Sequence, residues 1–299
     1  MKSIPVIKTK ELTKYYGKVI GIENINLEVR RKEIFGFLGP NGAGKTTFIR
    51  TILGLIQPTS GIIMLFGEKD RNKLEIKKKI GYLPESFSMY EDLKIKEMLD
   101  FIQKFFYENY EKNNNKKEDL IERFNINPSN KIRTCSKGTL QKIGIVQSFM
   151  HNPELLILDE PTIGLDPLMQ EEFYKLVLEE NKKGKTIFLS SHNLNEVEKI
   201  CTRVGIVKNG RLIVMENIPS LKTKKVKKVE ITFASLEDIN KLMLEDVYNL
   251  SIDKNKLSFV FKGEIDILIK KIVPYQLIDF SCNDPTLEEL FLEYYKGER

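Results

Sequence analysis

The chain has 299 residues, of which 41% are hydrophobic and 30% charged, so it can bury a core without disulfides or metals and does not belong to the disordered class. Its 48 Lys and Arg against 42 Asp and Glu leave a net charge of +6. That balance suits acidic ligands but not a dedicated nucleic-acid binder, because the lysines are spread among carboxylates, and no nucleic-acid partner is expected. At roughly 150 residues per domain, two domains are expected. Cys135, Cys201 and Cys282 are odd in number, far apart and without a Cys-x-x-Cys pair. This argues against a disulfide framework or a structural zinc site and for a reducing cytoplasm. The first residues lack the apolar segment of a signal peptide, and no stretch approaches the ~18 apolar residues that cross a bilayer.

In chain order, apolar stretches at 6–9, 19–22 and 25–29 read as antiparallel hairpin material. Residues 34–38 form an unbroken apolar run, read as a buried strand. Gly39-Pro40-Asn41-Gly42-Ala43-Gly44-Lys45-Thr46-Thr47 follows at once, and a helical pattern continues through Leu55. This satisfies G-x4-G-K-[ST] in its required context of strand, turn and helix. The glycines let consecutive backbone N–H groups turn inward around a phosphate, with the positive end of the helix behind them. Lys45 is then expected to reach the β- and γ-phosphates and Thr46 to ligate Mg²⁺.

Between 94 and 132 the pattern is helical, and the polar run from Lys112 to Lys117 marks an exposed loop or helix end. Met98, Phe101, Ile102, Phe105 and Phe106 recur at helical spacing and are expected to face the core. Residues 155–158 read as a second buried strand, ending in Asp159 and Glu160. Ligands of open α/β sheets lie beyond the carboxyl ends of the strands, so Asp159 is expected to hold Mg²⁺ and Glu160 to reach the attacking water. His192 ends a strand at 186–190 and is expected at the γ-phosphate, whereas His151, in a turn before Asn152-Pro153, reads as structural. With a further strand at 204–207, strands alternating with helices predict an α/β domain with a largely parallel sheet.

Composition shifts after Pro219. The basic run at 221–228 reads as a solvated linker or a lysine-guarded edge strand. Strand 229–233, helix 236–244, strands near 247–252 and 257–261, helix 265–272, strand 277–280 and helix 287–295 follow. This β-α-β-β-α-β order predicts a small α+β domain of the ferredoxin-like kind.

Over roughly residues 4–216 these motifs resemble the ATP-binding cassette of ABC transporters. The diagnostic segment is Cys135-Ser136-Lys137-Gly138-Thr139, in the place of the family's Leu-Ser-Gly-Gly-Gln signature, with Ser136 and Gly138 matching. The resemblance implies a P-loop NTPase fold with a RecA-like parallel core, an antiparallel β subdomain and a helical subdomain at about 86–150. The cassette would span 1–216, and 217–299 would be an accessory domain. It implies ATP and Mg²⁺ as ligands, with Lys45, Glu160 and His192 catalytic and with Thr46, Asp159 and Glu85 at the metal. Glu85 stands where the family usually has Gln.

Tyr16 is similar to the aromatic residue that stacks on adenine, with Tyr15 its structural neighbour, and Gly164-Leu165-Asp166 to the loop through which paired subunits sense each other. In the family, Ser136 and Gly138 would act on the γ-phosphate held by a second ATP-binding subunit, in a homodimer or heterodimer. The tail from Asp284 to Tyr295 resembles cassettes that pair with separate ABC-2-type permeases, often in export. Phe87, Met89 and Tyr90 would line the permease groove, leaving the protein cytoplasmic and peripheral on the inner membrane face. A non-transport cassette acting on ribosomes or nucleic acid is the alternative; one phosphate loop and no sustained heptads argue against it. The absence of an Asn-Lys-x-Asp motif argues against a GTPase.

Overall fold

Short runs of Ile, Leu, Phe and Val without polar alternation suit strands covered on both faces, and such strands form the centre of the structure. It is a computed structural model that describes residues 4–86, 88–106, 115–218, 226–235, 239, 242 and 247–283. Phe87, the run Lys112 to Asn114, most of the predicted helix 236–244 and the tail from Asp284 lie outside these residues. The chain divides into two compact units, Met1–Met215 and Glu216–Arg299.

The first unit opens with β1 (Ile7–Tyr16), β2 (Val19–Val29), β3 (Ile34–Leu38), α1 (Lys45–Ile52), β4 (Ser60–Leu65), α2 (Leu74–Lys78) and β5 (Ile80–Leu83). Three helices follow, α3 (Ile95–Gln103), α4 (Lys116–Arg123) and α5 (Lys137–Phe149). The remainder is β6 (Leu155–Asp159), α6 (Pro167–Lys182), β7 (Thr186–Ser191), α7 (Leu194–Ile200), β8 (Arg203–Lys208) and β9 (Arg211–Asn217).

The main sheet has the order β5-β6-β7-β3-β8-β9, with β5 through β8 parallel. β3, β6 and β7 are buried along their whole length. β9 returns through Asn209 and Gly210, whose φ angles of 49° and 77° suit a two-residue hairpin turn. Phe35, Phe37 and Phe188 of the sheet and Phe48 of α1 pack with ring centroids 4.8 to 5.8 Å apart. A separate antiparallel sheet has the order β2-β1-β4. The stretches expected as two strands at 19–22 and 25–29 are one, because Asn24 takes a left-handed φ of 51° and register shifts absorb the bend without breaking the pairing.

Two expectations for the helical region fail. Ile95, Met98, Leu99 and Gln103 make the inward face of α3, while Phe101 is 45% and Phe105 65% exposed. The helix ends at Gln103, so Phe105 no longer follows its period, and Phe101 falls on the far side. Lys117, read as exposed, is buried at the start of α4, held by the Asp100 carboxylate and, at 3.0 Å, by Gln103 Oε1. Its polarity is satisfied inside a cluster that sequence spacing does not display.

The second unit contains β10 (Val226–Phe233), β11 (Val247–Asp253), β12 (Lys256–Lys262), α8 (Ile265–Ile272) and β13 (Leu277–Asn283). Its sheet is antiparallel in the order β11-β12-β10-β13, the split-βαβ arrangement with the first strand central. Val229, Ile231 and Phe233 alternate inward and join Phe259, Leu268 and Ile272 in the core. Lys227 and Lys228 therefore belong to a central strand, not to an edge: β10 pairs with both β12 and β13. Among the described residues no helix is long and apolar enough to cross a membrane. Cys135, Cys201 and Cys282 form no disulfide.

Candidate active site

Strand order brings the sequence motifs together. β6, β7 and β3 are parallel neighbours, with Asp159 opposite Ser190 and Leu38 opposite Ser191. The phosphate loop, the Asp159-Glu160 pair and the Ser190-Ser191-His192 segment therefore leave the sheet along one edge, where ligands of open α/β sheets bind.

Gly39 N donates to Ser191 O at 3.2 Å, and Gly210 N to Ala43 O at 3.0 Å, so the loop is held by β7 on one side and by the β8–β9 turn on the other. Gly44 has a φ of 105°, and a Cβ there would lie 2.5 Å from Gly21 O; only glycine fits. Lys45 opens α1 and is buried, with Nζ donating to Gly39 O at 2.7 Å and lying 3.0 Å from Glu160 Oε1.

Glu160 is also buried and takes a left-handed φ of 49°, a strain of order 1–3 kcal/mol for a residue with a side chain. The conformation is held by its own N–H, which meets Ser190 O at 3.2 Å and Ser190 Oγ at 3.0 Å. Glu160 Oε2 lies 2.8 Å from His192 Nδ1. A lysine, a carboxylate and a half-exposed histidine thus form one contiguous line.

Beside it, Asp159 is fully buried and accepts from Ser190 Oγ, while its Oδ2 has no hydrogen-bond partner. Burial pushes its pKa up; the nearby Ser190 and Thr46 hydroxyls pull it down, and the charges of Glu85 and Glu160 push it up again. Thr46 Oγ1 donates to Glu85 Oε2 at 3.3 Å. An orphaned buried carboxylate oxygen beside a hydroxyl and a second carboxylate is a hard-oxygen donor set. Among the described residues no three His, Cys, Asp or Glu side chains cluster as a self-sufficient metal cage.

Lys45, Thr46, Glu85 and Glu160 border a cleft of about 320 Å³, lined also by Asn41, Gly42, Gly44, Thr47, Tyr16, Val19, Ile20 and Gly21; Gly39, Asp159 and His192 stand behind or beside it, outside its lining. Tyr16 is 48%, Val19 67% and Ile20 43% exposed, so this part of the lining is an exposed, largely apolar surface. Val19 and Ile20 escape the sequence reading, although exposed aliphatic residues beside an expected stacking tyrosine are a usable signal. Pro40 is exposed and Ala43 buried, both outside the cleft's lining.

Ser136 and Gly138 are not brought into the cleft. Ser136 is the N-cap of α5, accepting from Thr139 N at 3.2 Å. Gly138 lies against the carbonyl of Gly164, which a Cβ would approach to 2.6 Å. Asp166 caps α6, accepting from Met169 N at 3.0 Å. Gln141 Nε2 donates to Pro161 O at 2.8 Å and ties the helix to the turn after Glu160, a link with no motif to announce it. His151 is buried, with Nε2 3.1 Å from Ile80 O and its ring stacked on Phe106.

A family model described as ABC transporter matches residues 22–163. The bacitracin transport ATP-binding protein BcrA of Bacillus licheniformis is 36% identical over 305 residues, which cover 98% of each chain. The ABC transporter ATP-binding protein MJ1023 of Methanocaldococcus jannaschii is 35% identical over 302 residues, 97% of this chain and 99% of its own. Among solved structures, an ATP-binding subunit of an ABC transporter superposes with a TM-score of 0.68 at 30% identity, covering 73% of this chain and 92% of that one. The dimeric cassette MJ0796 gives 0.65 at 25% identity, covering 71% and 98%. Similarity that runs from end to end of a relative and through the cleft itself settles the assignment: the chain belongs to the ATP-binding proteins of ABC transporters and is an ATPase.

Proposed function

We propose that the chain binds ATP with Mg²⁺ in this cleft and hydrolyses it, as one of a head-to-tail pair of such subunits, to drive a separate membrane permease. The observation that carries the reading is the line Lys45–Glu160–His192 beside the orphaned oxygen of Asp159. Tyr16, Val19 and Ile20 hold the adenine, and the phosphate loop wraps the phosphates. Thr46, Asp159 and Glu85 would hold Mg²⁺, which when bound supplies positive charge to the β- and γ-phosphate oxygens. Lys45 exchanges its carbonyl partners and Glu160 for those oxygens. Glu160 then faces the attacking water and takes its proton, while His192, kept on Glu160, contacts the γ-phosphate.

Ser136 is exposed and stands outside its own cleft, which supports its use on the γ-phosphate of a second subunit. The relative MJ0796 is described as a dimeric cassette. Half-buried Met89 and exposed Tyr90, Phe101 and Phe105 support a permease-docking surface: the Tyr90 and Phe101 rings meet edge-on at 6.4 Å, and Phe101 and Phe105 at 5.1 Å. Phe87 lies outside the described residues. The name of BcrA, a bacitracin transport ATP-binding protein, favours transport of an antimicrobial compound; an ABC-2-type permease, outward direction and a place on the cytoplasmic membrane face belong to the same reading through the resemblance of the tail from Asp284 to Tyr295. Expression together with its neighbouring genes tests the reading. A membrane protein of about six apolar spans should co-purify, and ATP turnover should vanish with chelation of Mg²⁺. Co-purification with ribosomes or nucleic acid instead would overturn it.

A further inference from the structure

Glu196 is a buried carboxyl to which the hydrolytic scheme above assigns nothing. It stands in α7, four residues beyond His192, and is 1% exposed. Its Oε2 accepts from the Ser191 hydroxyl at 2.5 Å, and its Oε1 is buried without a hydrogen-bond partner. The Thr162 hydroxyl stands close enough to draw the carboxyl's pKa down.

These two neighbours belong to the two segments that present the reacting groups. Ser191 precedes His192, and its carbonyl accepts from Gly39 N at the start of the phosphate loop. Thr162 follows Glu160 by two residues, and its carbonyl accepts from Leu165 N at 3.1 Å, which closes the turn. His192 and Glu160, presented by these two turns, lie 2.8 Å apart.

We propose that Glu196 is a positioning residue for ATP hydrolysis, bridging Ser191 through one carboxyl oxygen and Thr162 through the other, so that His192 and Glu160 are held in mutual reach. The inference rests on the assignment of Glu160 and His192 made above.

The Thr162 hydroxyl can donate to an ionised Oε1 or accept from a protonated one, so either form of the carboxyl can bridge; burial favours the neutral acid. Burial is the largest influence and pushes the carboxyl up to about 7; Ser191, Thr162 and His192 act downward and the Glu160 charge upward. The titratable groups facing it are Glu160 from the turn after β6, His192 after β7, Tyr174 of α6 and Cys201 at the end of α7. Burial pushes the last two upward, so they stay neutral at neutral pH.

Steady-state ATP turnover of the full chain tests this. Glu196→Ala should lower kcat about tenfold or more with KM for ATP within about twofold, because geometry and not binding is lost. Glu196→Gln offers an acceptor to Ser191 and a donor to Thr162 and should return kcat to within about threefold. Glu196→Met, which fills the space without hydrogen bonds, should stay low.

Equal kcat in the Gln and Met variants overturns the proposal, and this pair decides even if Glu196→Ala does not fold. So does a Glu196→Ala variant that turns over ATP like the wild type. Absence of turnover in the wild type would overturn the hydrolytic reading as well, whereas normal wild-type turnover with insensitive Glu196 variants removes only Glu196.

Discussion

Glu160 sits on a left-handed backbone between Lys45 and His192, and two substitutions separate binding from chemistry there. Glu160→Gln preserves shape and hydrogen bonding but cannot take a proton. Nucleotide affinity should be retained while turnover falls about 10²-fold or more, the range for losing a general base. Phosphate release measured beside nucleotide binding checks this, and near-normal turnover would remove Glu160 from the mechanism. Lys45→Ala acts earlier. It removes the buried cation proposed to reach the phosphates and also leaves Glu160 Oε1 without its neighbour at 3.0 Å. ATP affinity should weaken about tenfold or more, the size of a lost charge-assisted hydrogen bond. Unchanged affinity by calorimetry would contradict the placement of the phosphate site.

α5 is joined to β5 by His151, whose Nε2 meets Ile80 O while the ring stacks on Phe106. Burial is the main cause that pushes its pKa down to about 4, and the Lys116 and Lys185 charges add to it. The folded protein thus holds the imidazole neutral, and the unfolded chain binds the proton first as pH falls. The contribution is full above about pH 6.5 and is lost progressively towards about 4, up to ~3 kcal/mol at 1.36 kcal/mol per unit. Urea denaturation from pH 7.5 to 5 should show this loss, and His151→Gln, less stable at neutral pH, should show a shallower decline. Parallel declines would mean that His151 does not sense pH.

β3, β6 and β7 are legible in the sequence because strands covered on both faces leave unbroken apolar runs. β4 and β9 are not, since their burial patterns are partial and irregular. The phenylalanines of 101–105 misled the helical period because α3 stops at Gln103, where Lys117 from another helix supplies the polar partner.

Viewed as a whole molecule, the cassette's apolar cluster and its cleft should be separable. Tyr90 and Phe101 are 67% and 45% exposed, so a charge at either costs little in the isolated subunit. Tyr90→Asp or Phe101→Asp should detach the permease on co-purification while ATP binding and melting temperature stay near those of the parent. If the variants unfold, the cluster belongs to the core; if the complex survives, the permease docks elsewhere. The second unit carries its own core around Val229, Phe259 and Leu268, and its four strands and α8 follow the order read from the sequence.

The sequence by itself determined the nucleotide chemistry of this protein. A glycine-rich loop between a strand and a helix, and two carboxylates at the end of an apolar strand, are local requirements of backbone and charge that each segment displays alone. Tertiary structure decided how those segments meet. Strand order placed β6, β7 and β3 side by side, so that Lys45 and His192, far from Glu160 in the sequence, stand 3.0 and 2.8 Å from its two carboxylate oxygens. It also decided which polar groups are buried: Lys117, Gln141 and Glu196 lie among partners from other elements, and no periodicity along one chain segment encodes a hydrogen bond made across the fold.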